Sequence, residues 1–295
     1  MTTKLVLARY KEDISWSEEF KNNRVVYDKS GTNTNPEFIN LENTGREAGT
    51  YLQYILDNYD NLPDVTIFSQ ADPGCINMSA VLHGQDKGCS ICEHPIDQNI
   101  KKYFETVDNP NFNQIDIYRQ LIKNNSIVKE LGYLGISYLN KPLYWDNNKH
   151  ITPFPEESKN IDKFNGYGLI NDCFIRHPQD GIWAMLDMRV VYSYLFNNPI
   201  NSYDYNDGAF FAVNKDRILF HNKDFYEKAL NICNNPNKFG LSDDTCFGKP
   251  GRNQIYDGYD NTPPLIGTST TMRNQSNIPH AFERLWKIIF DGKTT

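Results

Sequence analysis

Three short apolar runs near the start of the chain each end in polar side chains of the kinds that hold small ligands. Leu5-Val6-Leu7-Ala8 runs into Arg9-Tyr10-Lys11-Glu12-Asp13, and Val25-Val26-Tyr27 into Asp28-Lys29-Ser30-Gly31. Val65-Thr66-Ile67-Phe68 runs into Gln70-Ala71-Asp72. An Asp such as Asp72 could hold a divalent cation, although a turn before Pro73 is an equally ordinary use of that residue. Between the second and third runs, Asn43-Thr44-Gly45-Arg46-Glu47 opens a helical pattern. Free backbone N–H groups and the dipole favour anions at such a start, so Arg46 could reach a phosphate there. A solvated Arg paired with Glu47 or Glu42 is the competing reading.

A second group of reactive types is Cys75, His83, Cys89, Cys92 and His94. Cys89 and Cys92 have a spacing compatible with structural Zn2+, which would staple a long loop. The second Cys pair of a strong zinc signature is missing, and loop thiols with surface histidines are the plain alternative. No Gly-x-Ser-x-Gly elbow and no P-loop occurs, which removes the basic requirement of serine hydrolase and P-loop NTPase readings.

The elements that must position these residues follow from periodicity. Lys4 to Tyr10, Arg24 to Tyr27 and Val65 to Phe68 read as strands, with a helix expected over Asp13 to Phe20 and a stronger one over Ala48 to Tyr59. In the latter, Tyr51, Leu52, Ile55, Leu56 and Tyr59 recur at helical spacing. Strands alternating with helices predict an α/β fold with a Rossmann-like, mostly parallel central sheet flanked by helices, whose ligands bind at the carboxyl ends of the strands. From Gly74 to about Gly168 the pattern weakens into Asn-, Pro- and Gly-rich loops, with helical candidates at Asn99 to Thr106 and Ile115 to Glu130. Order returns with a strand at Gly208 to Val213, a helix from Asp224 to Cys233 and a final helix from Pro279 to Phe290. The last places Phe282, Leu285, Trp286, Ile289 and Phe290 on one face. No internal repeat is visible, so residues 1–295 read as a single domain.

Composition narrows the function classes. The chain has 295 residues, 39% hydrophobic and 13% aromatic, a profile that excludes global disorder. Thirty basic against thirty-seven acidic residues give a net charge of −7 with no Lys/Arg-rich run, which argues against nucleic acid as a partner. No stretch approaches the length of a membrane span, the first ten residues lack the pattern of a secretory signal, and six Cys are too few for a disulfide scaffold. A cytoplasmic location with reduced thiols is expected.

Taken in order, the strand-end loops, the Asn43-Thr44-Gly45 helix start and Gln70-Ala71-Asp72 resemble nucleotide-sugar glycosyltransferases of the GT-A class over about the first 75 residues. Gly208-Ala209-Phe210-Phe211-Ala212-Val213 and Glu283-Arg284-Leu285-Trp286 are similar to the acceptor-side strand and the acidic-then-Arg-Trp segment of such enzymes. In detail the chain is most similar to glycosyltransferase-like proteins of large DNA viruses (chlorovirus-like) and to largely uncharacterised fungal relatives. The resemblance implies a GT-A-like fold, with residues 1–75 binding the donor, a UDP-sugar by that likeness, and residues 165–295 shaping the acceptor site. It implies that Asp28 hydrogen-bonds the nucleobase, that Arg9 and Tyr10 line the same pocket, and that Arg46 meets the diphosphate. It also implies that Gln70 and Asp72 occupy the Asp-x-Asp metal motif, with Asp72 as the ligand of Mn2+ or Mg2+. Gln70 departs from that motif and brings no charge.

Transfer to a hydroxyl of a glycan or glycoprotein with inversion needs a base, and Glu283 and Asp207 are the candidates, Glu283 preferred. A helix-start charge and a turn residue are their plain readings, and Asp243-Asp244 reads as solvated loop. Tyr138, Tyr144, Trp145, Trp183, Tyr203 and Tyr205 could stack on sugar faces or serve as core. Two other functions remain open: a catalytically silent nucleotide- or carbohydrate-binding protein of the same fold, and a metal-dependent phosphoesterase using Asp72 and the Cys/His cluster.

Overall fold

A computed structural model describes residues 2–71, 73, 103–104, 114–136, 140–145, 150–151, 191–192, 194–197, 202–206, 209–235 and 278–291. The first strand, β1 (Thr3–Arg9), is followed by a 3-10 helix (Ser15–Phe20), β2 (Arg24–Asp28) and a two-residue β3 (Ile39–Asn40). Helix α1 (Arg46–Asn58) then leads into β4 (Val65–Gln70). The helix expected over Asp13 to Phe20 is therefore a six-residue 3-10 segment. The helix expected over Ile115 to Glu130 is two helices, α2 (Gln114–Lys123) and α3 (Ser126–Leu131), parted at Asn124-Asn125. Asn side chains compete for backbone hydrogen bonds, and Asn124 Oδ1 accepts from Ser126 N at the break.

Three strands emerge where periodicity was weakest: β5 (Tyr133–Gly135), β6 (Asn140–Trp145) and β7 (His150–Ile151). Then come β8 (Ser202–Asn206), β9 (Phe211–Asn214), α4 (Lys215–Leu219), α5 (Lys223–Asn234) and α6 (Ile278–Asp291). The last two helices match the sequence expectation to within two residues at each end. The helical candidate at Asn99 to Thr106 falls almost wholly outside the described residues.

The central sheet has the order β3-β2-β1-β4-β9-β5. β2 pairs in parallel with β1 and β3, and β1 with β4, whereas β9 runs antiparallel to both β4 and β5. All strands but β9 thus share one direction, and the fold is α/β with a mixed six-stranded sheet. A smaller antiparallel sheet, β7-β6-β8, places β8 against α6.

Alternation along the strands builds a core on each face of the central sheet. Val6, Tyr27, Phe68, Phe211 and Val213 face α1, α5 and α6, meeting Tyr51, Leu52, Ile232, Leu285 and Trp286. Leu5, Leu7, Val26, Val65, Ile67 and Ala212 face the 3-10 helix, α2 and α3, meeting Phe20, Ile117, Tyr118, Leu121 and Val128. On the first face, aromatic rings form a continuous cluster of tilted contacts, with Tyr51 at 4.8 Å from Phe68 and Phe211 at 5.4 Å from Trp286 between centroids. The apolar face expected on the last helix is what closes this layer. No helix among the described residues is long and apolar enough to cross a membrane.

Candidate functional site at the carboxyl ends of the strands

The crossover from β1 to β2 carries the 3-10 helix on one face of the sheet, and the connection from β3 to β4 carries α1 on the other. Strand order therefore reverses between β1 and β4, and in open α/β sheets the crevice beyond the carboxyl ends at such a reversal is where ligands bind. The register puts Arg9 of β1 opposite Asp28 of β2, and Ala8 opposite Gln70 of β4. The ladder continues past both ends, with Lys29 N donating to Arg9 O at 2.8 Å and Ala71 N to Ala8 O at 3.0 Å. Trp16 Nε1 fixes the same edge by donating to Ala71 O at 2.9 Å.

Asp28 is fully buried, and both of its carboxylate oxygens are occupied. One pairs with Arg9 Nη1, and the other accepts from Ser30 N at 2.9 Å and from the Ser30 hydroxyl. Arg9 Nε donates to Glu12 O at 2.9 Å, and its guanidinium lies 5.8 Å from the centre of the Phe38 ring. In this arrangement Asp28 orients Arg9, and Arg9 is the member of the pair that reaches the surface. Tyr10 is exposed, and Glu12 folds back to accept from the backbone N–H groups of Tyr10 and Lys11 at 2.7 and 3.0 Å. Lys11 Nζ sits 4.9 Å from the centre of the Tyr10 ring.

The residue immediately after β2, Lys29, is the one that sequence reasoning passed over. Lys29 is buried, at 6% exposure, and its Nζ donates to the backbone carbonyls of Thr44 and Arg46 at 2.5 Å each. Burial lowers its pKa to about 8, while the nearby Cys233 and Glu47 act in the opposite sense. Cys233 of α5 is itself buried, which raises its thiol to about 12, and its Sγ lies 3.5 Å from Gly45 O.

This close approach of β2, α1 and α5 explains two glycines. Gly45 has φ +62°, and a Cβ there would stand 2.6 Å from Asn234 Oδ1 and 2.7 Å from Cys233 Sγ. At Gly49, one turn on, a Cβ would stand 3.0 Å from Asn234 Oδ1 and 3.2 Å from Lys29 Nζ. Arg46, between them, has φ +44°, a left-handed backbone that costs a non-glycine residue of order 1–3 kcal/mol. The sequence signal for this cluster is faint: glycines four apart at a helix start, and one Lys directly after a strand.

Glu283 is half-buried on α6 and close enough to the phenol of Tyr51 on α1 to raise its pKa, as does Glu47, although burial is the larger cause. The Tyr51 hydroxyl donates to Ala209 O at 2.9 Å, just before β9, whose Phe211 pairs with Phe68 near the carboxyl end of β4. Glu283 thus borders the same end of the sheet as Arg9, Arg46 and the half-buried Gln70.

Asp72, Asp207, Asp243-Asp244, Tyr138, Trp183 and the set Cys75, His83, Cys89, Cys92 and His94 lie outside the described residues. Tyr144 and Trp145 fall on β6, and Tyr203 and Tyr205 on β8. Among the described residues, no three His, Cys, Asp or Glu side chains converge as a metal-ion set. Gln70 can offer a carbonyl oxygen to a hard cation, but the charge that Mn2+ or Mg2+ requires would have to come from Asp72.

Residues 5–131 match the family model described as protein of unknown function (DUF3431). The matched segment runs from within β1 to the end of α3, so it includes Arg9, Asp28, Lys29, Arg46 and Gln70, and it stops before Cys233 and Glu283. No curated protein and no solved structure matches the chain.

Proposed function

We propose that the chain is a glycosyltransferase that binds a nucleotide diphosphate sugar, a UDP-sugar in the first instance, at the carboxyl ends of β1, β2 and β4. The observation that carries this reading is the placement of Arg9, held by buried Asp28, beyond the carboxyl end of β1 where strand order reverses, with Lys29 and the Arg46 turn beyond the neighbouring end of β2 on the other face of the sheet. A nucleoside diphosphate leaves with growing negative charge, and fixed cations and N–H groups aimed at that charge lower the barrier. Arg9 is held ready by a buried carboxylate, so little rotamer freedom is lost on binding.

In this reading Arg9, Tyr10 and Arg46 contact the donor, and Asp28 positions Arg9. Asp72, with Gln70 beside it, takes Mn2+ or Mg2+, which when bound neutralises diphosphate charge. Glu283 serves the acceptor side. As the acceptor oxygen bonds to the anomeric carbon, the bond from that carbon to the diphosphate breaks and its electron pair leaves with the nucleotide. The hydroxyl proton passes to the Glu283 carboxylate.

The uncharged Gln70 favours a second reading, a nucleotide-sugar-binding protein of the same fold without turnover. Calorimetric titration of the full chain with UDP and a panel of UDP-sugars, with and without Mn2+, tests the site. Binding strengthened by metal, with the metal effect lost in Asp72→Ala, is the expected result. Failure of every nucleotide to bind would overturn the proposal. Release of UDP from a bound sugar nucleotide in the presence of acceptor glycans separates the transferase from the silent binder.

A further inference from the structure

The Arg9 guanidinium is fixed through two of its nitrogens and open at the third. Nη1 pairs with Asp28, which is fully buried, and Nε donates to Glu12 O at 2.9 Å. Nη2 donates to nothing among the described residues, and the side chain keeps 21% of its surface exposed. The same guanidinium lies 5.8 Å from the centre of the half-buried Phe38 ring. Alternation puts Arg9 and Asp28 on the sheet face of Leu7 and Val26, against which Phe38 also packs. The turn before β3 holds Phe38 in place. Its N–H donates to Asn35 O at 3.2 Å, Asn33 Nδ2 donates to Asn40 Oδ1 at 2.9 Å, and Lys21 pairs with Glu37 at 2.8 Å.

Charge decides what this pair of side chains can recognise. Asp28 offsets the charge of Arg9, so the open N–H edge offers direction and little net field for an anion. A neutral, planar ligand with a carbonyl suits both neighbours, because the carbonyl accepts from Nη2 and the ring face lies against Phe38. A nucleobase combines those features. Asp28 itself is closed to a base: one oxygen is taken by Arg9 and the other by Ser30, and the side chain has no exposed surface.

We propose that Arg9 and Phe38 are the base-selecting residues of the site, with Arg9 Nη2 donating to a ring carbonyl of the nucleobase and Phe38 stacked on its face, while Asp28 touches no ligand and positions Arg9. This rests on the glycosyltransferase reading for the presence of a nucleotide, and assigns within it what reads the base. It departs from the role in base binding that the GT-A resemblance implies for Asp28. Selection then runs through carbonyl oxygens and not through ring N–H groups. Uracil meets that requirement, whereas adenine has an amino group and no carbonyl and leaves the Arg9 donor unfilled.

The test is calorimetry of the full chain with UDP, N3-methyl-UDP, ADP and inorganic pyrophosphate in the presence of Mn2+, repeated on Phe38→Leu, which keeps an apolar side chain on the core. N3-methyl-UDP should bind as tightly as UDP, because the methyl group removes the N–H that an accepting carboxylate would need and leaves both carbonyls. ADP should bind at least about tenfold more weakly than UDP. Phe38→Leu should weaken UDP about tenfold and leave pyrophosphate unchanged. Loss of binding on N3-methylation, ADP as tight as UDP, or an unchanged UDP affinity in Phe38→Leu would overturn the base assignment and leave the nucleotide site standing. Failure of both nucleotides to bind would overturn the nucleotide site, and the base assignment with it. The wild-type comparison of the three nucleotides decides by itself if Phe38→Leu does not fold.

Discussion

Replacing Gly45 by alanine probes the junction on which the site depends, and its cost can be worked from two separable causes. The left-handed backbone, φ +62°, costs an L-residue about 1–2 kcal/mol whatever surrounds it. The added methyl also meets Asn234 Oδ1 at 2.6 Å and Cys233 Sγ at 2.7 Å, well inside ordinary contact, and overpacking of this kind costs about 1–3 kcal/mol. A loss of about 2–5 kcal/mol is expected in urea unfolding with an unchanged m-value. Gly31 supplies the control, because its φ of +69° is similar and a Cβ there would meet nothing within 4 Å. Gly31→Ala should lose only the backbone part, about 1–2 kcal/mol. Adding Cys233→Ala to Gly45→Ala should recover part of the crowding cost, which reads out as coupling in a double-mutant cycle. Equal losses for the two glycine variants would refute the reasoning, since they would mean that α5 yields freely and that the start of α1 is not pinned.

Two further outcomes follow from the charges. Arg9→Met leaves the buried Asp28 carboxylate without its counterion and should destabilise by about 3 kcal/mol, and Arg9→Met/Asp28→Asn should recover most of that loss in the same unfolding assay. Lys29, whose pKa is lowered to about 8 in the fold against 10.5 when unfolded, binds more protons in the unfolded state between those values, so stability rises with pH there. The buried tyrosines Tyr27 and Tyr51, held above their ordinary pKa by burial, reverse the trend above about pH 10. The Cys233 thiol, raised to about 12 in the fold against an ordinary 9, offsets part of that rise, so unfolding measured from pH 7.5 to 9.5 should show a gain of about 1 kcal/mol in wild type, about 2 kcal/mol in Cys233→Ala and a loss of about 1 kcal/mol in Lys29→Met.

Four elements of the first 70 residues were legible because each carries its own periodicity, whereas the two-residue β3 and the 3-10 character of Ser15–Phe20 were not. β1, β2, α1 and β4 alternate or recur with a clear apolar face, and the polar residues at their ends fall where a parallel sheet places a ligand. The helices α5 and α6 were legible for the same reason. β5 was not, because three residues, Tyr133–Gly135, are too few to show a period, and their strand identity comes from pairing with β9. The helical candidate from Ile115 to Glu130 divides at two asparagines, where local bonding ends one helix and begins another.

Within the site, residue types were legible and partnerships were not. Asp28 looks from the sequence like a ligand contact because it ends a strand beside other polar groups. Its burial and its commitment to Arg9 and Ser30 come from the neighbouring strand, which local sequence does not report. Lys29 looks like an exposed turn residue for the same reason, since the helices that bury it begin 17 and 194 residues later.

The difference between these two neighbours bears on where anion affinity resides. A guanidinium already paired with a carboxylate offers direction and N–H donors more than net charge, because Asp28 cancels much of its field at ligand distance. The Lys29 ammonium is hydrogen-bonded to carbonyl oxygens, with Glu47 the anionic group acting on it from the first turn of α1, and burial reduces the screening of its charge by solvent while the proton is held. Arg9 and Lys29 leave the sheet on opposite faces, so a ligand served by both must span the carboxyl ends of β1 and β2, with Arg9 governing which group is bound and in what orientation and Lys29 how tightly an anion is held at the α1 end. Salt should then weaken the contribution of Lys29 less than that of an exposed cation such as Lys11, and loss of Arg9 should blur discrimination between UDP and pyrophosphate more than it lowers the affinity for either.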